Sequence, residues 1–224
     1  MGKTLAKRGY LFDFDGTLAQ SLPHWADAYS DALAMRGKSV ERSTLLAACF
    51  GSRSSDFLER LQISDQPVFR EDVWEKVKQR IELFEPYPGV IELLSELKRT
   101  ECGLAVVTNS RRSHVEPALR RWDVTHLFDV VVSIEDVSYG KPDPEAIHKA
   151  LNALKVSPVD AFMIGDSPAD LLAGSRACVR TVAFSPQDNK TFFSGELLKS
   201  HTPNHTTESY AELRSLLLSP SEAT

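Results

Sequence analysis

Short apolar runs recur along the chain, each ending in a polar or glycine-containing turn: Tyr10–Phe12, Gly103–Val107, Phe128–Val132, Ala161–Gly165 and Val179–Phe184. Runs of this length, rich in β-branched residues and bounded by turn formers, predict strands buried on both faces of a parallel sheet. Around the later runs lie stretches with helical spacing, Val90–Lys98, Val115–Trp122, Pro144–Leu154 and Ala169–Ala177, the first of them entered through Pro88 and Gly89. Strand and helix in alternation predict an α/β fold with a doubly wound parallel sheet.

The region from about Ala19 to Phe84 breaks this rhythm, because it contains no run that reads as a strand. Val73, Val77, Ile81 and Phe84 recur at helical spacing, as do Trp25, Tyr29 and Leu33, with Met35 following less strictly; Gly37 and Gly51 supply stops. The stripes read as the core of a small bundle. An all-helical insert of about 65 residues is therefore expected after the first strand, a size within the range of a small domain. Its flanks fall near residues 16–20 and 85–88. Near the other end, residues 185–209 are rich in Ser, Thr, Asn, His and Pro and predict an irregular connection before a last amphipathic helix at about Tyr210–Leu218.

Composition narrows the function classes. The 224 residues are 42% hydrophobic and 25% charged, enough for a substantial core, and 31 acidic against 26 basic residues give a net charge of -5. That balance disfavours a partner that presents a phosphate backbone, so no nucleic acid is expected. Cys49, Cys102 and Cys178 form no CxxC pair, and neither a disulfide framework nor a zinc knuckle is suggested. The apolar run after the basic residues of the N-terminal MGKTLAKRG is too short for a signal segment, and no stretch has the roughly 18 apolar residues of a membrane span. A cytoplasmic protein without membrane attachment is the expectation.

The first apolar run ends in Asp13-Phe14-Asp15-Gly16-Thr17. Side chains two apart share a face of a strand, so Asp13 and Asp15 point the same way at the carboxyl end, where open α/β sheets bind their ligands. Two such carboxylates repel unless a cation or a proton intervenes, and Gly16 allows a sharp turn beside them. Three further polar clusters each follow a separate predicted strand. Thr108-Asn109-Ser110 offers hydroxyl and amide donors, Lys141 stands in the Gly140-Lys-Pro-Asp-Pro144 loop, and Gly165-Asp-Ser-Pro-Ala-Asp170 opens a helix. Singly, each has an ordinary explanation as a helix cap, a surface lysine or a first-turn acid.

Together and in this order, DFDGT, VVTNS, GKPDP and GDSPAD resemble the four motifs of the haloacid dehalogenase superfamily. The resemblance implies a Rossmann-like catalytic core of residues 1–18 and 85–224, with residues 19–84 as an inserted all-helical cap domain. It implies a phosphatase in which Asp13 attacks phosphorus and Asp15 serves as general acid and base. Thr108, Asn109, Lys141 and Gly16 are then the phosphate-binding residues. Mg²⁺ is the implied cofactor, held by Asp13, the Asp15 carbonyl and Asp166, hard oxygen donors of the kind it prefers. Asp170 is expected to act behind these groups, on Lys141 or a metal-bound water. The acid at Asp15 favours phosphate esters over carbon–halogen bonds.

Substrate choice should reside in the insert. Ser21 to Leu33 resembles the start of the cap in phosphoglycolate phosphatase-like members, with Gln20 and His24 departing from that pattern and Trp25 departing from the β-phosphoglucomutase branch. His24, Ser52 and Arg53 are the candidate substrate contacts, Arg53 as a clamp for a carboxylate or second phosphate. Lys38, Lys76 and Lys78, and the pair Arg111 and Arg112, read as solvated surface. The expected protein is a monomer or weak homodimer that hydrolyses a small phosphorylated metabolite, a phosphoglycolate-like acid or a sugar phosphate. A β-phosphoglucomutase-like phosphomutase and a catalytically silent binding protein of the same fold remain open at this point.

Overall fold

The computed structural model describes residues 8–42, 44–45, 58–192 and 195–219. Its centre is a parallel sheet of β1 (Gly9–Phe12), β2 (Gly103–Val107), β3 (Val130–Val132), β4 (Ala161–Gly165), β5 (Arg180–Phe184) and β6 (His205–Thr207). The strands lie in the order β3-β2-β1-β4-β5-β6. Leu11 stands opposite Ala105 on one side and Met163 on the other, so β1 is fully interior. Strand order reverses between β1 and β4, and doubly wound sheets bind ligands at the carboxyl edge of such a reversal.

Strand periodicity sorts the core into two layers. Tyr10, Phe12, Leu104, Val106, Phe162 and Ile164 face one side, where helices α3 (Val90–Lys98), α4 (Arg112–Arg121) and α8 (Tyr210–Leu217) cover them. Leu11, Ala105, Val107 and Met163 face the other, against α5 (Glu145–Leu154) and α6 (Pro168–Arg176). A sheet covered on both faces requires near-continuous apolar strands, which is the pattern the sequence shows.

The helical insert leaves after β1 and is led by α1 (Leu22–Ala34), with Pro23 in its first turn, and α2 (Gln66–Lys78). The two helices pack on each other through Trp25, Ala28, Ala32 and Leu33 from the first and Phe69, Val73 and Val77 from the second. Gly37, at φ +64°, lies three residues past the end of α1. The Gly51 stop lies outside the described residues. The outgoing and returning linkers run side by side: Gln20 donates its N–H to the Glu85 carbonyl at 2.8 Å, and its side-chain amide to the Pro86 carbonyl at 3.0 Å. Both connections therefore leave the sheet at one place, next to the carboxyl end of β1.

The described residues of the segment 185–209 hold more regular structure than its composition predicts. It contains a 3₁₀ turn at Gln187–Thr191, the short helix α7 (Gly195–Ser200) and strand β6. Hydrophobic periodicity could not reveal β6, since His205, Thr206 and Thr207 at a sheet edge are held by polar contacts. Ser185 donates its N–H to the Thr207 carbonyl at 2.8 Å, and the Asn204 side chain accepts from the Thr181 N–H at 2.8 Å. Among the described residues no helix is long and apolar enough to cross a membrane.

Candidate active site

The site begins where β1 ends. Asp13 extends the ladder by one residue, its N–H bonding the Ile164 carbonyl at 2.9 Å, so its carboxyl projects from the carboxyl edge of the sheet. Gly16 turns the chain away with φ +74°, and a Cβ there would stand 2.0 Å from Asp166 Oδ2. The glycine thus allows the carboxylate at the end of β4 to close against the turn after β1. Asp13, Asp166 and Asp170 each bring an oxygen within 4.8 Å of the others, and all three are buried.

Lys141 is the cation among them. Its loop is fixed by Asn109, whose side chain donates to the Lys141 carbonyl and accepts from the Lys141 N–H, both at 2.8 Å. The ammonium uses its three donors fully: 2.7 Å to Asp13 Oδ1, 2.6 Å to Asp170 Oδ1 and 2.8 Å to the Val107 carbonyl. Both Asp170 oxygens are engaged, for its Oδ2 accepts the Ser167 N–H at 3.0 Å and hydroxyl at 2.6 Å while capping α6. Its two oxygens are thus spent on fixing Lys141 and the start of that helix.

One ammonium among this many carboxylates leaves the pocket with excess negative charge. Burial, then Asp170, pushes the Asp13 carboxyl up to about 7 against the pull of Lys141. Burial, Asp170 and Asp13 raise Asp166 well above the ordinary carboxylate range. Burial alone would pull Lys141 down, but Asp13 and Asp170 outweigh it and hold the ammonium charged. A cluster of buried oxygens that lacks positive charge suits a hard divalent cation.

Asp15 faces the insert instead. Its Oδ1 accepts the Ser21 hydroxyl at 2.5 Å and the Trp25 indole N–H at 2.7 Å, and its Oδ2 accepts the Ser110 hydroxyl. Thr108 is buried at the end of β2, where its hydroxyl accepts the Ser110 N–H at 3.0 Å. Ser21 and Trp25, four apart at the start of α1, lie on one helix face and present both donors together. Neither stands among the residues singled out above for the site. Trp25 reads as core in a hydrophobic stripe, and its indole N–H would have been the signal, since a buried tryptophan seeks an acceptor.

His24 is rotated from that face. It stacks on Phe84 with ring centroids 5.6 Å apart and lines a cavity of about 350 Å³ with Gln20, Leu83, Tyr87 and Asn189. Burial pulls its imidazole below the usual range. Ser52 and Arg53 lie outside the described residues. Arg111 is not simply solvated, for it pairs with Glu71 of α2 and lies 4.9 Å over the Trp74 ring, which in turn stacks on buried His114 at 5.0 Å. Arg112 pairs with Asp136 at 2.6 Å and Glu116 at 3.2 Å. Lys78 is exposed, whereas Lys38 and Lys76 are half-buried.

Comparison with known proteins agrees with this architecture. The chain is 35% identical over 136 residues to the pyrophosphatase PpaX of Bacillus mycoides, a match spanning 61% of each chain. It is 40% identical over 104 residues to the PpaX of Bacillus thuringiensis, which covers 46% of this chain and 48% of that one. The chain thus spans only about half to three fifths of the length of these relatives. Among solved structures, CbbY from Rhodobacter sphaeroides in complex with phosphate superposes with a TM-score of 0.76 at 25% identity, over 92% of this chain and 96% of that one. A predicted phosphoglycolate phosphatase from Haemophilus somnus gives a TM-score of 0.79 at 22% identity, over 96% and 100%, a likeness of fold alone. The haloacid dehalogenase-like hydrolase profile matches residues 10–184, the span that carries all four strand-end clusters, and to that family the chain belongs.

Proposed function

We propose that the protein is a Mg²⁺-dependent phosphohydrolase in which Asp13 is the nucleophile. The observation that carries this reading is the position of Asp13 Oδ1, 2.7 Å from the Lys141 ammonium in a buried cluster with Asp166 and Asp170. Phosphoryl transfer spreads charge over the equatorial oxygens, so a site needs aligned cations and donors around one nucleophilic oxygen. Asp13, Asp166 and the Asp15 carbonyl would hold the Mg²⁺, whose chemistry there is to neutralise charge on the transferring group. Lys141, fixed by Asp170 and Asn109, supplies the second positive charge.

Asp13 attacks phosphorus and becomes an aspartyl-phosphate as the leaving oxygen departs. Asp15 donates a proton to that oxygen and later accepts one from the water that hydrolyses the intermediate, returning Asp13 and free phosphate. Thr108, the Asn109 backbone amide and the turn at Gly16 bind phosphoryl oxygens. Hydrolysis is preferred over phosphoryl return to a second hydroxyl because Trp25, which donates to Asp15, stands where the β-phosphoglucomutase branch usually places a histidine. In this reading residues 19–84 form a cap over a core of 1–18 and 85–224, and Ser52 and Arg53 belong to its substrate-selecting side, whereas His24 is turned onto Phe84. The PpaX relatives make pyrophosphate the first substrate to test, beside phosphoglycolate-like acids and sugar phosphates.

The test is phosphate release with Mg²⁺ from pyrophosphate, phosphoglycolate, sugar phosphates and nucleotides, run in parallel on Asp13→Asn. Release by the wild type from at least one of these and none by the variant is expected. A silent wild type across the panel, or a variant with substantial turnover, would overturn the proposal.

A further inference from the structure

One buried amide remains outside the mechanism, although it touches the metal side of the site. Asn189 sits in the 3₁₀ turn after β5 and is 3% exposed. Its Nδ2 donates to the Gly16 carbonyl at 2.7 Å and to Asp166 Oδ2 at 3.2 Å, while its Oδ1 accepts the Tyr87 hydroxyl at 2.5 Å. The Gly16 N–H is already given to the Ala19 carbonyl, so Gly16 presents its carbonyl oxygen and Asp166 a carboxylate, and the amide nitrogen must face them and the oxygen Tyr87. The orientation is therefore fixed by its three partners. Tyr87 stands between Pro86 and Pro88 in the returning linker of the insert.

We infer that Asn189 is a positioning residue for the metal-binding carboxylate Asp166, and that Tyr87 holds the Asn189 amide in the orientation this requires. Asp166 fills the space that a side chain at Gly16 would take, its Oδ2 2.0 Å from where a Cβ would stand, and the bond from Asn189 sets which of its oxygens faces the turn. The amide ties one carboxylate oxygen to the turn after β1. Among the described residues no hydrogen bond engages the other oxygen, which stays available to a cation. A neutral donor suits the task, since a lysine or arginine in its place would compete with the divalent ion for Asp166. The arrangement also joins the insert to the metal site: movement of the linker at Tyr87 reaches Asp166 through one amide.

This inference rests on the metal reading above, and binding of Mg²⁺ alone separates the two. Isothermal titration with MgCl₂, without substrate, is run on the wild type, Asn189→Ala and Tyr87→Phe, with circular dichroism to establish folding. Loss of a group that orients a ligand costs roughly 10-fold or more in metal affinity, and this is expected for Asn189→Ala. Removing the Tyr87 hydroxyl leaves the amide in place but free to turn, and a loss of about fivefold is expected. A purely structural amide would lower the melting temperature and leave Mg²⁺ affinity unchanged; that result in folded Asn189→Ala overturns the inference. If Asn189→Ala does not fold, Tyr87→Phe decides, and wild-type affinity in that variant is the overturning result. A wild type that takes up no Mg²⁺ removes the metal reading itself and the inference with it.

Discussion

The Trp25 indole, carried by the helical insert, donates to Asp15 Oδ1 across 2.7 Å. The residue assigned the proton transfers is thus held by the part of the chain assigned to select substrate. Ser21 and Ser110 complete the grip, and three donors to one carboxylate fix its direction.

Trp25→Phe keeps an aromatic ring against Trp74, 5.1 Å away, and removes only the donor. A hydrogen bond to a charged group contributes about 1.5–3 kcal/mol, so turnover of an alkyl phosphate should fall roughly 10-fold to 100-fold. p-Nitrophenyl phosphate, whose leaving group needs no proton, should lose much less. Equal losses on the two substrates would separate Trp25 from proton transfer.

Lys141 is the only cation in contact with both Asp13 and Asp170 among the described residues. Lys141→Met leaves these carboxylates buried together without compensation, which costs about 3–5 kcal/mol. Urea denaturation in chelator should show that loss near neutral pH and a partial recovery in acid, where a carboxyl can take up a proton. A variant within about 1 kcal/mol of wild type at neutral pH would contradict the charge balance described here.

The four strand-end clusters could be read from the chain because each follows a short apolar run that must be buried, and a polar group just beyond such a run can only sit at the sheet edge. Asp13, Thr108 and Asp166 belong to this class directly, and Lys141 and Asp170 belong to it through the loop after β3 and the first turn of α6. Ser21, Trp25 and Asn189 do not. Asn189 bonds to Gly16 from 173 positions away, inside a segment with no hydrophobic period. His24 drew attention for its chemistry, yet a rotation of one helical residue turns it from Asp15 onto Phe84, and the chemistry of a lone histidine does not say which face it occupies. Strand β6 escaped for the same reason as Asn189, since its place is set by polar pairing at an edge.

The raised carboxyl of Asp13 gives the metal-free protein a pH signature. Burial and Asp170 carry it from 3.8 to about 7, so the native state holds a proton that the unfolded chain has released. Its stabilisation is complete below the unfolded value and lost as pH rises through the folded one, a window from roughly 4 to 7. In chelator, the wild type should lose stability across this window. Asp13→Asn cannot ionise and should be more stable than wild type at about pH 8 by on the order of 2–4 kcal/mol. Urea titrations of both proteins at several pH values check this, and parallel slopes would count against it.

Gly16 tests the closeness of β1 and β4 directly. Its φ of +74° already disfavours a side chain, and a Cβ would lie 2.0 Å from Asp166 Oδ2 and 2.6 Å from its Cγ. Gly16→Ala therefore has to push Asp166 away from the turn or open the turn itself, and either breaks the Asn189 bridge between them. The backbone strain alone costs about 1–2 kcal/mol, which melting in chelator would register. The displaced carboxylate adds a second effect that strain does not produce: Mg²⁺ should bind at least about 10-fold more weakly, and phosphate release should saturate only at higher Mg²⁺. Gly37→Ala is the comparison, since that glycine also has a positive φ of +64° but nothing within 4 Å of the new methyl group. It should lower the melting temperature and leave Mg²⁺ affinity as it was. If the two variants behave alike toward Mg²⁺, the contact between Gly16 and Asp166 does not shape the metal site.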